Sequence, residues 1–260
     1  MGRIVALLYG VVCYGVFFAS FLYWIGFVSN LIVPKGIDSG LASPSGTALL
    51  INLALLILFG AQHTIMARPG FKETWTKLVP KSIERSTYVL LSGVVLILLY
   101  WQWRPMTGVV WEVNAAWAQN LLWAVLFGGI LIVLLTTFII DHFDLFGLRQ
   151  VWLNLRRKAY AHPDFKVTFF YKFVRHPLYV GWIMSMWGTP RMSAGHLLFA
   201  AALTTYIFVA IHYEERDLVK FLGVDYIEYR KKVPMIIPTI GKGHDTVKGG
   251  SASTGGPLPG

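Results

Sequence analysis

The chain has 260 residues, of which 55% are hydrophobic, 15% aromatic and 14% charged. A soluble domain carries about a quarter charged residues, so this composition excludes a water-soluble globular protein and implies an integral membrane protein. The formal net charge of +10 resides in loops between apolar runs, which argues for basic loops on one side of a membrane rather than for nucleic-acid binding.

The first apolar run, residues 4–33, is far longer than the roughly 7–15 residues of a signal h-region, and no small-x-small cleavage site follows it. It reads as an uncleaved first span. It also holds Cys13, the single cysteine, which rules out an intrachain disulfide or a Cys-rich metal centre. A spanning helix needs about 20 mostly apolar residues. Further spans are expected at 47–66, 87–103, 117–140 and 194–213. Segment 177–188 is too short to cross alone. It is expected to form a helical hairpin with the last span, bent at the Gly- and Pro-rich stretch 188–195. The fold class is therefore all-α integral membrane, with five long transmembrane helices, a short helix completing a hairpin, and a cytoplasmic C-terminal segment. Residues 1–240 read as one domain. Residues 241–260 are Gly/Ser/Pro-rich, and read as a disordered tail, part of it resembling a cloning remnant.

Charge sets the expected sidedness. Loop 68–85 carries Arg68, Lys72, Lys77, Lys81 and Arg85, and the segments 144–175 and 216–232 are similarly basic. Loops 34–46 and 104–116 carry one basic residue each. Both termini and the basic loops are thus expected in the cytoplasm of a multi-pass protein, with a bacterial inner membrane as its location.

This topology brings four polar groups to one leaflet: Gln62–His63, Asp141–His142, Arg175–His176 and Glu214–Glu215. Ionisable groups near hydrocarbon usually face the bundle interior. In "RHPLYVG", Pro177 suits the first helical position. The N–H groups behind it, with Arg175 and His176 beside them, would make an anion site, and Gly181 would permit close approach to the backbone. The same stretch, including Tyr179, serves equally as a headgroup anchor. Glu214 and Glu215 diverge by about 100° on a helix, so one can face a pocket while the other meets Arg or water. Tyr226 and Tyr229 share a helical face. They suit either stacking on a purine or a surface amphipathic segment. His63 and His142 are candidate proton acceptors, with Asp141 as an orienting carboxylate or a base. Taken alone, each histidine reads better as a hydrogen-bonded helix end than as a catalytic group. No metal-ligand spacing is present.

Taken together, "RHPLYVG", "EERDL" and "YIEYRKKVPMIIP" resemble the isoprenylcysteine carboxyl methyltransferase superfamily of membrane methyltransferases. The upstream "QHTIMARPGFK" and "DHFDLFGLRQVW" are similar to a narrower branch, the bacterial methanethiol S-methyltransferases with their NnrU-like relatives. The resemblance covers most of the chain outside the tail. It implies S-adenosylmethionine as methyl donor, held around Arg175, His176, Pro177, Tyr179, Gly181, Glu214, Glu215, Tyr226 and Tyr229. It implies a small thiol as acceptor, most specifically methanethiol yielding dimethyl sulfide, with His63, His142 and Asp141 as candidates for its proton. Other readings are a prenylcysteine, phospholipid or larger thiol acceptor, or a non-catalytic membrane protein. The expected partners are the thiol and the lipid bilayer, with no nucleic acid and no obligate protein partner.

Overall fold

The computed structural model describes residues 2–161 and 168–238; the tail expected at 241–260 lies outside them. Among the described residues, five helices are long and apolar enough to cross a bilayer: α1 (Arg3–Ser29), α2 (Ser45–Ala67), α4 (Lys81–Gln102), α5 (Ala116–Ile140) and α9 (Ala194–Leu222). The chain is a multi-pass membrane protein, as its composition implies. Shorter helices fill the connections: α3 (Pro69–Trp75), α6 (His142–Leu145), α7 (Leu148–Leu155), α8 (Pro177–Trp187) and α10 (Val224–Lys232).

Local chemistry sets several boundaries. Asn30 adopts the left-handed conformation at φ 57° and closes α1, its N–H bonding to the Gly26 carbonyl. Pro69 and Pro177 open α3 and α8, where a missing N–H is no loss. The Ser193 hydroxyl accepts from the His196 N–H and caps α9, and Gly223, at φ 57°, ends that helix. At 29 residues, α9 is about 43 Å long, longer than a ~30 Å hydrocarbon layer. It runs nine residues past the expected limit at 213, so Glu214 and Glu215 lie within a continuous helix rather than at its end.

Helix α4 packs between α1 and α2, α8 lies along α5, and α9 leans on α8 and α2. The core between them is aromatic: Phe21, Trp24, Phe27, Tyr100, Trp103 and Phe199 are all buried. Leu50, Ile57, Trp117 and Leu131 point outward and are exposed. Apolar residues on both faces are what a helix in lipid requires.

The short helix α8 has 11 residues and reaches about 16 Å, roughly half the hydrocarbon. It is held by backbone contact. A Cβ on Gly129 of α5 would lie 2.6 Å from the Gly181 carbonyl, and one on Gly181 would lie 2.7 Å from the Gly129 carbonyl. Small residues let two membrane helices approach this closely. The close approach expected at Gly181 is therefore made by α5, and Gly181 is buried beneath it.

The hairpin bend holds a feature absent from the sequence reading. Strand β2 (Arg191–Ser193) pairs antiparallel with β1 (Val109–Glu112), matching Val109 to Ser193 and Glu112 to Arg191. This ribbon closes one end of the bundle, where Asn52 bonds both ways to the Arg104 backbone at 2.8 and 2.9 Å. The other end carries α3, α6, α7, α10 and the basic loops.

Candidate methyl-transfer site

At the basic end, the start of α8 meets the last turns of α9. Arg175 and His176 precede Pro177, and both are buried. Arg175 Nη2 lies 3.1 Å from Glu215 Oε1, and His176 Nε2 lies 3.0 Å from the same oxygen. Arg230 of α10 approaches the other oxygen at 3.7 Å. Glu215 thus serves three basic side chains from a site where an unpaired carboxylate is disfavoured.

Glu214 points elsewhere, as a 100° step demands. Its side chain keeps 43% of its surface exposed. Tyr179, one turn into α8, donates to Glu214 Oε2 at 3.0 Å. His176 Nδ1 lies 3.9 Å from that oxygen, so the imidazole sits between the two carboxylates.

The segment after α10 closes over this cluster. The Arg175 N–H donates to the Pro234 carbonyl at 2.9 Å and the His176 N–H to the Met235 carbonyl at 3.2 Å. The N–H groups of Tyr179 and Val180 both return to the His176 carbonyl. The start of α8 therefore leaves fewer donors free for an anion than Pro177 alone implies. Arg175 Nε is buried and has no acceptor, which gives an incoming carboxylate one unanswered donor.

Tyr226 and Tyr229 do share a face of α10, with ring centroids 5.8 Å apart. That face is covered: both rings are buried against Leu218, Val219 and Leu222. Tyr229 Oη donates to the Tyr171 carbonyl at 2.7 Å. Burial raises the Tyr226 phenol, and the neighbouring Glu215 raises it further. The two tyrosines form the floor under the charged cluster; in this arrangement neither offers a free face to a purine.

The two candidate histidines differ sharply. His142 is buried with both ring nitrogens taken: Tyr14 Oη at 2.8 Å from Nε2 and Thr137 Oγ1 at 2.8 Å from Nδ1. Phe138 stacks on it at 4.3 Å and 6°. Asp141, at φ 136°, accepts the Asp144 N–H at 3.1 Å and lies 3.6 Å from Arg149. It shapes the α5–α6 corner and pairs with Arg149. His63, on α2, is half-buried and faces Tyr88 of α4, whose hydroxyl lies 3.0 Å from Nδ1 and 2.9 Å from Nε2. The sequence reading missed Tyr88 and Tyr206, which flank His63; both are single tyrosines inside apolar runs, with no spacing to mark them. A cavity of ≈ 550 Å³ near Asp38, Trp123 and Arg191 lies at the other end of the bundle, away from every one of these residues.

The chain is 50% identical over 238 residues to the methanethiol S-methyltransferase of Mycobacterium tuberculosis, covering 92% of this chain and 98% of that one. The chain belongs to the methanethiol S-methyltransferase family. Methanethiol S-methyltransferase 2 of Bradyrhizobium diazoefficiens is 50% identical over 92% of both chains, and the enzyme of Crocosphaera subtropica is 48% identical over 93% of this chain and 95% of its own. No protein-family model and no solved structure matches the chain. Family membership agrees with the resemblance drawn from "RHPLYVG" and "EERDL", and the match spans both of those motifs and both upstream ones.

Proposed function

We propose that this protein methylates methanethiol with S-adenosylmethionine, giving dimethyl sulfide, S-adenosylhomocysteine and a proton. The observation that carries this is the near-complete match to methanethiol S-methyltransferases. The charged cluster at the α8–α9 junction has the polarity the donor needs. The donor carries one carboxylate and two cationic groups. Arg175 offers a buried N–H without an acceptor, and Glu214 offers a partly exposed carboxylate. In this reading Arg175 and His176 receive the donor's carboxylate, and Glu214 takes its ammonium or ribose hydroxyls. Glu215 keeps the basic groups in place, and Tyr226 and Tyr229 support them from below. When bound, S-adenosylmethionine supplies a methyl group activated by its sulfonium.

The protein's own part is to position the two reactants, exclude water and remove the thiol proton. A thiolate is the competent nucleophile, whereas a free thiol is largely protonated at neutral pH. His63 suits the role of proton acceptor better than His142. Its ring is half-buried and its second hydroxyl, Ser92 Oγ, comes only within 3.4 Å of Nδ1, whereas His142 is buried with a separate hydroxyl at 2.8 Å on each nitrogen. The site lies at the basic end, which the positive-inside rule puts in the cytoplasm.

The test uses purified protein with S-adenosylmethionine and methanethiol, read by gas chromatography. Dimethyl sulfide is expected; folded protein that yields none would sink the activity. Calorimetry with S-adenosylhomocysteine tests the site separately. Glu215→Gln leaves Arg175 buried beside a neutral partner, which typically costs about 3–5 kcal/mol when one member of a buried pair is removed. Affinity should fall at least about tenfold, equivalent to about 1.4 kcal/mol. Unchanged affinity in both Glu215→Gln and Arg175→Ala would overturn the assignment.

A further inference from the structure

The end of the bundle closed by the β ribbon holds the cavity of ≈ 550 Å³, a size that small-ligand sites occupy. It lies between the end of α1, the loop that follows, the hairpin bend and Trp123 of α5. Trp123 is two turns into α5, about 10 Å along the axis from its start. Tryptophan rings mark headgroup level in membrane proteins, so the cavity sits where headgroups give way to acyl chains.

Two opposite charges line this cavity without meeting. Asp38 is half-buried. Ser193 Oγ donates to its Oδ1, and Asn30 Nδ2 donates to its Oδ2 at 2.8 Å. Each oxygen has one donor, and a carboxylate accepts about four. Arg191 is exposed. Its carbonyl accepts from Thr189 Oγ1 at 2.8 Å, but among the described residues its guanidinium has no ion pair and no hydrogen bond. Glu112 stands opposite Arg191 across the ribbon, where opposite charges commonly pair, yet the two are not joined. The rim is apolar. Leu31 and Val33 line the cavity, and Ile32 between them is fully exposed at φ 67°, a conformation β-branched residues rarely adopt. Trp123 stacks on Phe127 at 6.0 Å. Phe127 and Leu131 follow one and two turns along the same face of α5, and both are exposed.

We propose that this cavity binds the headgroup of one phospholipid that carries both a phosphate and a primary ammonium, as phosphatidylethanolamine does. Arg191 takes the phosphate, and the ammonium donates to the unused lone pairs of Asp38. One acyl chain leaves past Trp123 and runs down α5 over Phe127 and Leu131, with Ile32 packed beside it. A purely anionic headgroup would set its charge against Asp38, and a quaternary ammonium has no N–H to give that carboxylate. A soluble zwitterion shares the polar chemistry but leaves the apolar rim uncovered. The site stands apart from the methyl-transfer reading, since none of its residues belongs to the charged cluster. A lipid seated here joins the loop after α1 to the hairpin bend, so its binding stabilises the folded chain.

The test uses full-length protein stripped of lipid in detergent, with Arg191→Gln and Asp38→Asn beside it. Native mass spectrometry titrates each with phosphatidylethanolamine, phosphatidylcholine, phosphatidylglycerol and soluble glycerophosphoethanolamine, and thermal melts follow stability. Wild type should hold one phosphatidylethanolamine per chain, about tenfold more tightly than either other lipid, and its Tm should rise with that lipid's concentration. Arg191→Gln should weaken the lipid about tenfold, as the loss of one charge-assisted hydrogen bond does. Asp38→Asn should erase the preference over phosphatidylcholine. Equal affinity for the three lipids, or unchanged affinity in Arg191→Gln, overturns the proposal. Glycerophosphoethanolamine bound as tightly as the lipid assigns the cavity to a soluble zwitterion and overturns the lipid. Should Asp38→Asn fail to fold, Arg191→Gln decides alone, because it removes no side-chain contact from the fold.

Discussion

At the residue scale, two histidines alike in sequence sit among different partners. Both are near the basic ends of apolar helices, and only their surroundings separate them. His142 holds a corner: Tyr14 reaches it from α1 and Thr137 from α5. Burial pulls its imidazole below the usual 6.5, and the adjacent Asp141 pulls part of the way back. The sign of the resulting pH effect follows from proton counting. Between the depressed folded value and the unfolded value, the unfolded chain binds more protons, so stability rises with pH across that window. Thermal melts in detergent should therefore show a Tm that falls as pH drops below about 6.5 and is flat in this contribution above it. The charged neighbours, Asp141 and Arg149, pair with each other at 3.6 Å and do not reverse the sign. His142→Gln should lower Tm at neutral pH, because it disturbs two hydrogen bonds, yet flatten the slope below 6.5. An unchanged slope would assign the titration to another group.

At the element scale, the contact between α5 and α8 decides whether the charged cluster exists. Arg175 and His176 hang from the start of a helix half a bilayer long, and α5 is what fixes its height. Adjacent glycines give a controlled test. A Cβ on Gly129 meets the α8 backbone at 2.6–2.7 Å, whereas one on Gly128 meets nothing within 4 Å. Gly129→Ala should cost about 1–3 kcal/mol through overpacking and shift the protein towards aggregate in size-exclusion chromatography. Gly128→Ala should elute as wild type; equal behaviour of the two would show that the helices tolerate separation. The long helices were legible because a run of about 20 apolar residues has one reading in a membrane protein. The polar residues of the charged cluster were legible because "RHP" and "EE" interrupt such runs. Three things were not. The ribbon of β1 and β2 depends on pairing across more than 70 residues of chain. The burial of Tyr226 and Tyr229 depends on α10 folding back on α9. The Tyr88–His63 contact joins two helices whose rotation about their axes no uniformly apolar pattern specifies.

At the scale of the whole molecule, the two ends differ in chemistry as well as in charge. One end is closed by the β ribbon and carries Asn52, Trp103 and Ile37 tied into loops by hydrogen bonds. The other gathers the basic loops, α10 and the charged cluster. If the donor binds at the charged cluster as proposed, it reaches Arg175 from water, so the side on which this end lies decides which compartment supplies it. The positive-inside rule assigns the cytoplasm, and the cysteine content makes this easy to check. Cys13 is the sole cysteine and is buried, so Cys13→Ala gives a silent background. Lys231 and Glu112 are both exposed, at the basic and ribbon ends respectively. In intact cells, a membrane-impermeant maleimide should label Glu112→Cys and leave Lys231→Cys untouched until the membrane is permeabilised. The opposite pattern would invert the protein and place the charged cluster outside the cytoplasm, where cytoplasmic S-adenosylmethionine could not reach it, and would overturn the proposed donor site.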